Sequence, residues 1–167
     1  MESIIYNYYN SPIGELELAQ EGDELLWVKF LETQKEKRPK QTASDSALFT
    51  KAKEQLDLYF KNELETFDLP LALRGTDFQK EVWQKLTLIS FGKTISYLTL
   101  SKQMGDVKAI RAVASTNGKN RFCIIIPCHR VIGTDGSLTG YAGDLWRKKW
   151  LLEHELKNKN FQTDLFL

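Results

Sequence analysis

Short apolar runs separated by turn residues fill the first 30 positions of the chain. Residues 4–6 are apolar, 10–14 have the composition of a turn, and Leu16 and Leu18 then alternate with polar positions. After a second turn, residues 25–30 form another apolar run. Alternation with period two between turns is typical of antiparallel strands. We therefore expect the chain to begin with a small antiparallel sheet.

A loop, a helix and a domain boundary are predicted next. Residues 31–43 are mostly polar and indicate a mobile loop, whereas the apolar positions of 45–62 recur at helical spacing. Residues 67–73 form a short apolar strand or linker, after which we place the boundary. The predicted fold class is α/β in the broad sense (α+β), with a mixed α/β domain over 1–72 and a mainly helical domain over 76–160.

The second half opens with strong helix signals. Thr76 and Gln79 have the spacing of a capping box before an amphipathic run. Two short helices are then predicted over 97–104 and 107–117, and Gly118 is expected to end the second. Because a glycine-containing turn joins them, the pair has the form of a helix-turn-helix.

The second helix of this pair combines basic and small side chains. It carries Lys108 and Arg111 together with Ala112, Ala114 and Ser115. Small residues let a helix backbone come close to a surface, which DNA would provide, but they also allow tight packing against another helix. The sequence leaves both interpretations open.

An apolar run precedes the only Cys-His pair in the sequence. Residues 122–126, FCIII, have the composition of a buried strand. Pro127 lacks a backbone N–H, so the strand is expected to stop there. Cys128 and His129 would then lie at a strand end, where a reactive side chain can be exposed yet held rigidly.

The composition restricts the class of protein. The 167 residues are 42% hydrophobic and 27% charged, as in soluble globular proteins. The sequence contains no apolar run of about 18 residues, as a membrane helix requires, and it begins without the features of a signal peptide. We expect a cytoplasmic protein, or a nuclear one in a compartmented cell. Two cysteines suit neither a disulfide framework nor a zinc cluster, and no metal or cofactor is predicted.

Charge is distributed unevenly, although the net charge is only +1. Residues 1–75 contain nine Lys and Arg against fourteen Asp and Glu, whereas 76–167 contain fourteen against eight. Within 101–130 six cations accompany the single acid Asp106. A basic region confined to one half favours a nucleic-acid partner, although a solvated charged surface would have the same composition.

A cysteine beside a histidine can form an activated nucleophile, because an imidazole or a cation raises the small thiolate fraction present at neutral pH. In a regular strand Cys128 and His129 would point to opposite faces, so a bend at Pro127 or a bridging water is needed to bring them together. Either Glu153 or Glu155 could orient the histidine, and spacing does not choose between them. The alternative is an inert buried cysteine beside a surface histidine.

The octet IPCHRVIG at 126–133 resembles the active-site signature of the O6-alkylguanine-DNA alkyltransferases. The first 70 residues are similar to that family only in layout, but the resemblance continues in order through about residues 76–156. Its further blocks are FQ and VW within 78–83, GKTISY at 92–97, RAV at 111–113, NGKN at 117–120, DGSLTGYAG at 135–143, and WLL and HE within 150–155. Three positions depart from the family pattern, namely Arg121 for proline, Ala142 for serine and Asp144 for glycine.

The resemblance implies chemical roles for five residues. Cys128 would be the thiolate that attacks the alkyl carbon on guanine O6, His129 the base acting through a water, and Glu155 the carboxylate that orients it. Tyr97 would donate a proton to the leaving guanine, although without the resemblance it is an ordinary half-buried aromatic residue. Asn120 would tie the recognition helix to the active-site segment.

The resemblance also implies how double-stranded DNA is bound. The helix-turn-helix would enter the minor groove, with Ala112, Ala114 and Ser115 allowing close approach. Arg111 would take the place of the flipped-out base, where an ordinary helix arginine would contact only a phosphate. Further contacts with DNA are expected from Lys108, Lys119, Arg121 and Arg130. The pocket for the base would be formed by Val131, Tyr141 and Ala142.

The expected function is repair of O6-alkylguanine, with O4-alkylthymine as a second candidate lesion, by irreversible and stoichiometric transfer of the alkyl group to Cys128. The protein is expected to act as a monomer on damaged double-stranded DNA. A damage-recognition module without transfer activity is disfavoured, because such relatives lack this cysteine. A thiol hydrolase would leave Arg111 and the helix-turn-helix without a role.

Overall fold

The structure is a computed structural model that describes residues 2–157. The chain forms two compact units. The first comprises the described residues up to Leu73 together with Arg121–Ile125, and the second comprises Arg74–Asn120 and the described residues from Ile126 onward. The last three residues of the predicted second domain, 158–160, lie outside the described residues.

The first unit contains an antiparallel sheet and one helix. The strands β1 (Ile5–Ser11), β2 (Gly14–Glu21) and β3 (Glu24–Phe30) are joined by tight turns in the order β1-β2-β3. Helix α1 (Ala47–Phe60) packs on β1, and its first turn is capped because Ser46 accepts a hydrogen bond from the backbone N–H of Phe49 at 3.0 Å. The predicted sheet and helix are confirmed.

Residues 121–125 correct one prediction. The backbone N–H of Val28 donates to the Arg121 carbonyl and that of Cys123 donates to the Val28 carbonyl, both at 2.9 Å, so this segment lies on β3 in the first unit. Ile124 adopts a left-handed φ of 73°, and the Ile125 N–H turns back to the Cys123 carbonyl. The predicted burial of residues 122–126 is correct, but a regular strand is wrong.

The second unit is mainly helical. Its elements are α2 (Asp77–Leu86), β4 (Ile95–Ser96), α3 (Tyr97–Gln103), α4 (Ile110–Gly118), β5 (Val131–Ile132) and α5 (Leu145–Lys157). The predicted capping box is present at the start of α2, where Thr76 and Gln79 exchange two hydrogen bonds of 3.1 Å. Among residues 2–157 no helix is long and apolar enough to cross a bilayer.

The helix-turn-helix consists of α3 and α4, which pack against each other. Gly105 adopts a φ of 87° in the turn between them, a conformation that favours glycine. A single 3₁₀ turn, Val107–Ala109, precedes α4. Gly118 lies inside α4 and Lys119 is its C-cap, so the helix extends one residue beyond its predicted end.

Candidate active site and the exposed helix beside it

Neighbouring elements of the second unit converge on Cys128. Cys128–Arg130 forms a 3₁₀ turn immediately before β5, and β5 pairs in parallel with β4. Because Tyr97 directly follows β4, this pairing brings the start of α3 close to the turn. The remaining side chains come from the end of α4 and from α5: Asn117, Asn120, Lys148 and Glu155.

The Cys128 sulfur is buried and accepts a hydrogen bond. Cys128 is 3% exposed, and Nδ2 of Asn120 lies 3.1 Å from its Sγ and 2.9 Å from the Ile126 carbonyl oxygen. Burial raises the pKa of Cys128, although the hydrogen bond from Asn120 and the charge of Lys148 act in the opposite direction. The resting group is therefore a thiol, so its proton must leave during any nucleophilic reaction.

His129 and Glu155 form a buried pair. Nε2 of His129 lies 2.6 Å from Oε2 of Glu155, and both side chains are fully buried. Burial lowers the pKa of His129 despite this carboxylate. Burial alone would raise the pKa of Glu155, but His129 and the Arg130 guanidinium hold it well below its usual value. A neutral imidazole that donates from Nε2 keeps its lone pair on Nδ1, and Nδ1 has no hydrogen-bond partner within residues 2–157.

Arg130 corrects one predicted contact with DNA. Its guanidinium donates to both carboxylate oxygens of Glu155, at 2.8 and 3.1 Å, and to the Ile89 carbonyl at 2.7 Å. The residue is 5% exposed, so it is a buried partner of Glu155 and does not face solvent. Glu153, the other candidate carboxylate, lies on the surface near Lys149. Of the two candidate carboxylates, Glu155 is therefore the one that pairs with His129.

Tyr97 and Asn117 connect the cysteine turn to the next loop. The Tyr97 hydroxyl donates to the Thr139 carbonyl at 3.3 Å, and burial raises its pKa, so it stays protonated at neutral pH. Nδ2 of Asn117 donates to the Tyr97 hydroxyl at 3.4 Å and to the Cys128 carbonyl at 3.3 Å. Sequence reasoning missed Asn117 as a site residue, although it belongs to the quoted NGKN block.

A cavity of about 450 Å³ lies beside the Tyr97 ring. This volume is within the range of pockets that hold small organic ligands. Its lining residues are Tyr97, Ile110, Arg111, Ala114, Thr134, Thr139 and Gly140. The predicted pocket residues do not line it, since Val131 is fully buried, Tyr141 is half-buried and Ala142 is exposed on the neighbouring loop.

The outer face of α4 carries one basic and two small side chains. Arg111, Ala112 and Ser115 are exposed, whereas Val113 and Thr116 point inward. The small side chains of this face therefore do not serve packing against another described helix. Three further residues predicted to contact DNA are also solvent-exposed, namely Lys108, Lys119 and Arg121, of which Arg121 belongs to the first unit.

The described residues show no metal centre. No group of three or more His, Cys, Asp or Glu side chains within 2–157 is arranged to hold a metal ion. The site itself contains a thiol, an imidazole, a phenol and their hydrogen-bond partners.

Comparison with known proteins identifies the family. The model of the 6-O-methylguanine DNA methyltransferase DNA-binding domain matches residues 77–157, and that of the ribonuclease-like domain of the same methyltransferase matches 4–73. A methylated-DNA--protein-cysteine methyltransferase from Mycobacterium bovis is 45% identical over 163 residues, covering 98% of this chain and 99% of the relative. The chain belongs to the 6-O-methylguanine DNA methyltransferase family.

Other members support the assignment and the predicted fold class. The constitutive methylated-DNA--protein-cysteine methyltransferase of Bacillus subtilis is 42% identical over 148 residues, covering 82% of this chain and 87% of the relative. The crystal structure of the Mycobacterium tuberculosis O6-methylguanine methyltransferase matches with a TM-score of 0.81 at 42% identity, covering 99% and 100% of the two chains. The M. tuberculosis protein OGT in complex with DNA matches with a TM-score of 0.80 at 45% identity, covering 92% and 93%.

The departure at Asp144 has a structural explanation. Asp144 adopts a φ of 74°, a conformation that suits the glycine common in the 6-O-methylguanine DNA methyltransferase family. Its carboxylate accepts a hydrogen bond from Nη1 of Arg147 at 3.3 Å, and both side chains are largely buried. The charge introduced by Asp144 is therefore paired within the protein.

Proposed function

We propose that this member of the family repairs O6-alkylguanine in double-stranded DNA by transferring the alkyl group once, and irreversibly, to Sγ of Cys128. O4-alkylthymine is a second candidate lesion. The observation that carries the proposal is the buried arrangement in which Asn120 donates to the Cys128 sulfur while Glu155 orients His129. A thioether is a stable product, and nothing in this arrangement would release it.

The chemical step consists of one displacement and three proton movements. Sγ bonds to the alkyl carbon, the bond from that carbon to guanine O6 breaks, and its electron pair stays on the guanine. Nδ1 of His129 receives the thiol proton through a water, and the ionised Glu155 stabilises the imidazolium. Tyr97, which retains its proton at neutral pH, donates it to the guanine ring and is reprotonated through solvent from the imidazolium. The thiol thus loses one proton and the released guanine gains one.

The exposed face of α4 supports binding in the minor groove. Ala112 and Ser115 leave the backbone accessible, and Lys108 and Lys119 are placed to contact phosphates. Arg111 both belongs to this face and lines the cavity beside Tyr97. It is therefore placed to fill the gap in the duplex while the flipped nucleotide enters the cavity.

Access to the sulfur requires a local movement. Cys128 is not among the lining residues of the cavity, whereas Tyr97 and Thr139 both line it and are joined by the hydrogen bond from the Tyr97 hydroxyl to the Thr139 carbonyl. We place the entry of the base at this bond, which the incoming guanine replaces with its own contact to Tyr97.

Because its substrate is DNA, the protein acts in the cytoplasm, or in the nucleus of a compartmented cell.

Intact mass spectrometry with a methylguanine-containing duplex tests the proposal. We expect a gain of one methyl group, located on the Cys128 peptide and saturating at one equivalent. The C128S variant should bind the duplex but gain no mass, whereas the matched C123A variant, which removes the other buried cysteine, should still be methylated. Binding without a mass change would indicate a recognition module, and multiple turnovers would indicate a hydrolase; either result would overturn the proposal.

A further inference from the structure

Lys148 on α5 is a buried cation without a carboxylate partner among residues 2–157. The residue is fully buried, and its Nζ donates to the Thr139 carbonyl at 2.8 Å and to the Gly140 carbonyl at 3.2 Å. Nζ also lies 5.7 Å from the centroid of the Tyr97 ring. No ion pair of Lys148 with an acid occurs within residues 2–157. A buried charge is costly unless something compensates it, so its position calls for an explanation.

The group that complements this charge is the thiol of Cys128. The positive charge of Lys148 lowers the pKa of Cys128, and the negative charge of the thiolate raises the pKa of Lys148. Burial nevertheless lowers the pKa of Lys148 to about 8, so the ammonium form predominates at neutral pH. At neutral pH the ammonium is therefore present when the sulfur loses its proton during transfer.

The backbone contacts of Lys148 give it a second effect. Thr139 and Gly140 both line the cavity beside Tyr97, and Gly140 adopts a left-handed φ of 56°. Two hydrogen bonds from one ammonium fix these consecutive carbonyls. The same side chain thus contacts the wall of the cavity and acts electrostatically on the sulfur of Cys128.

We propose that Lys148 is a positioning residue that stabilises the thiolate of Cys128 through its charge while it holds the Thr139 and Gly140 carbonyls at the cavity wall. This inference deepens the proposed alkyl transfer and rests on it for its role in repair. Its physical content, a lysine that makes a buried thiol more acidic, is independent of DNA.

A spectroscopic titration tests the electrostatic part. The thiolate absorbance of Cys128 is followed against pH in a C123A background, and the profile of the same protein carrying C128S is subtracted to remove tyrosine ionisation. Below about pH 8, where Lys148 is an ammonium, we expect K148M to contain about tenfold less thiolate than the protein with Lys148, which corresponds to a midpoint raised by about one pH unit or more. K148R, which keeps the charge, should restore most of the shift.

Lys149 provides the matched control, because it is the next residue on α5 and its side chain is largely exposed. K149M should leave both the thiol midpoint and the single-turnover transfer rate unchanged. Methionine has a length similar to that of lysine and no charge to bury, so K148M is expected to fold; if circular dichroism shows otherwise, K148Q replaces it.

The outcomes separate this inference from the proposed function. A folded K148M or K148Q with an unchanged midpoint would refute the role of Lys148, whether or not the protein transfers methyl groups. A shifted midpoint in a protein that never accepts a methyl group would refute the proposed function and leave the acidifying effect of Lys148 intact. When the inference about Lys148 and the proposed function are both correct, K148M should transfer more slowly at neutral pH. This loss of rate should diminish as the pH is raised toward the thiol midpoint of the variant.

Discussion

Nε2 of His129 and Oε2 of Glu155 are 2.6 Å apart in a region closed to solvent. The carboxylate lies 26 residues from the histidine in the sequence and reaches it from α5. Because the same carboxylate also accepts two hydrogen bonds from Arg130, a single ionised group fixes both the ring and the guanidinium. Chemistry and stability are therefore coupled at Glu155.

Replacing Glu155 with glutamine should destabilise the fold strongly. The change leaves Arg130 as a buried cation without its counter-charge, and removing one partner of a buried ion pair costs about 3–5 kcal/mol. The free energy of unfolding measured in urea provides the test. E153Q is the matched control, since Glu153 is on the surface, and it should alter stability by less than about 0.5 kcal/mol. Equal effects of the two substitutions would contradict the assigned pairing.

Acid should destabilise the protein in two stages. Burial lowers the pKa of His129 from its ordinary value of 6.5, so below this pH the unfolded chain takes up a proton that the folded protein excludes. Glu155 also has a lowered pKa in the folded state, and below its ordinary value of 4.5 the unfolded state gains a further proton. Stability should thus be complete above about pH 7 and fall as the pH decreases. Urea unfolding from pH 7.5 to 4 measures this, and a constant stability between pH 7 and 5 would be inconsistent with it.

Asn120→Ala should make Cys128 less acidic. The substitution removes the hydrogen bond that lowers the pKa of the thiol, so transfer at neutral pH should slow and recover partly as the pH is raised. It also leaves the Ile126 carbonyl without this donor, at a cost of about 1–3 kcal/mol. Single-turnover rates against pH provide the measurement.

Asn117→Ala is the informative comparison for Asn120→Ala. Asn117 contacts the carbonyl of Cys128 and the Tyr97 hydroxyl, but it makes no hydrogen bond to the sulfur. The variant should therefore slow transfer without moving the pH midpoint. A shift of the same size in both variants would show that the Asn120–Sγ contact does not control the acidity.

Arg111→Ala should slow transfer from duplex DNA more than transfer from the free base. Loss of the side chain that replaces the flipped nucleotide should slow transfer from duplex by about tenfold or more, or ~1.4 kcal/mol in the barrier. Transfer from free O6-methylguanine, which needs no flipping, should be unchanged. K149A, which removes an exposed cation of α5, controls for general charge. An equal decrease with both substrates would assign Arg111 to the chemical step instead.

Much of the fold follows from local sequence patterns. The strands of the first sheet and the α2 capping box depend on residues that are close in sequence, as with Thr76 and Gln79, so periodicity and spacing predicted them correctly. The helix-turn-helix was predicted for the same reason, although residues 107–109 form a 3₁₀ turn and α4 ends at Gly118. The prediction of a strand over 122–126 failed because apolar composition predicts burial but does not distinguish a strand from a buried turn.

The sequence by itself determined the first sheet, the helices α1 to α4 and the Cys128-His129 pair, because these depend on near neighbours and on a recognisable string of residues. Only the tertiary structure decided that Arg130 is buried, that Glu155 is the partner of His129, and that Lys148 is buried while Lys149 is exposed. Identical residue types at adjacent positions look alike in a sequence. Their surroundings are set by contacts with residues far along the chain, and these surroundings determine the charge and reactivity of each side chain.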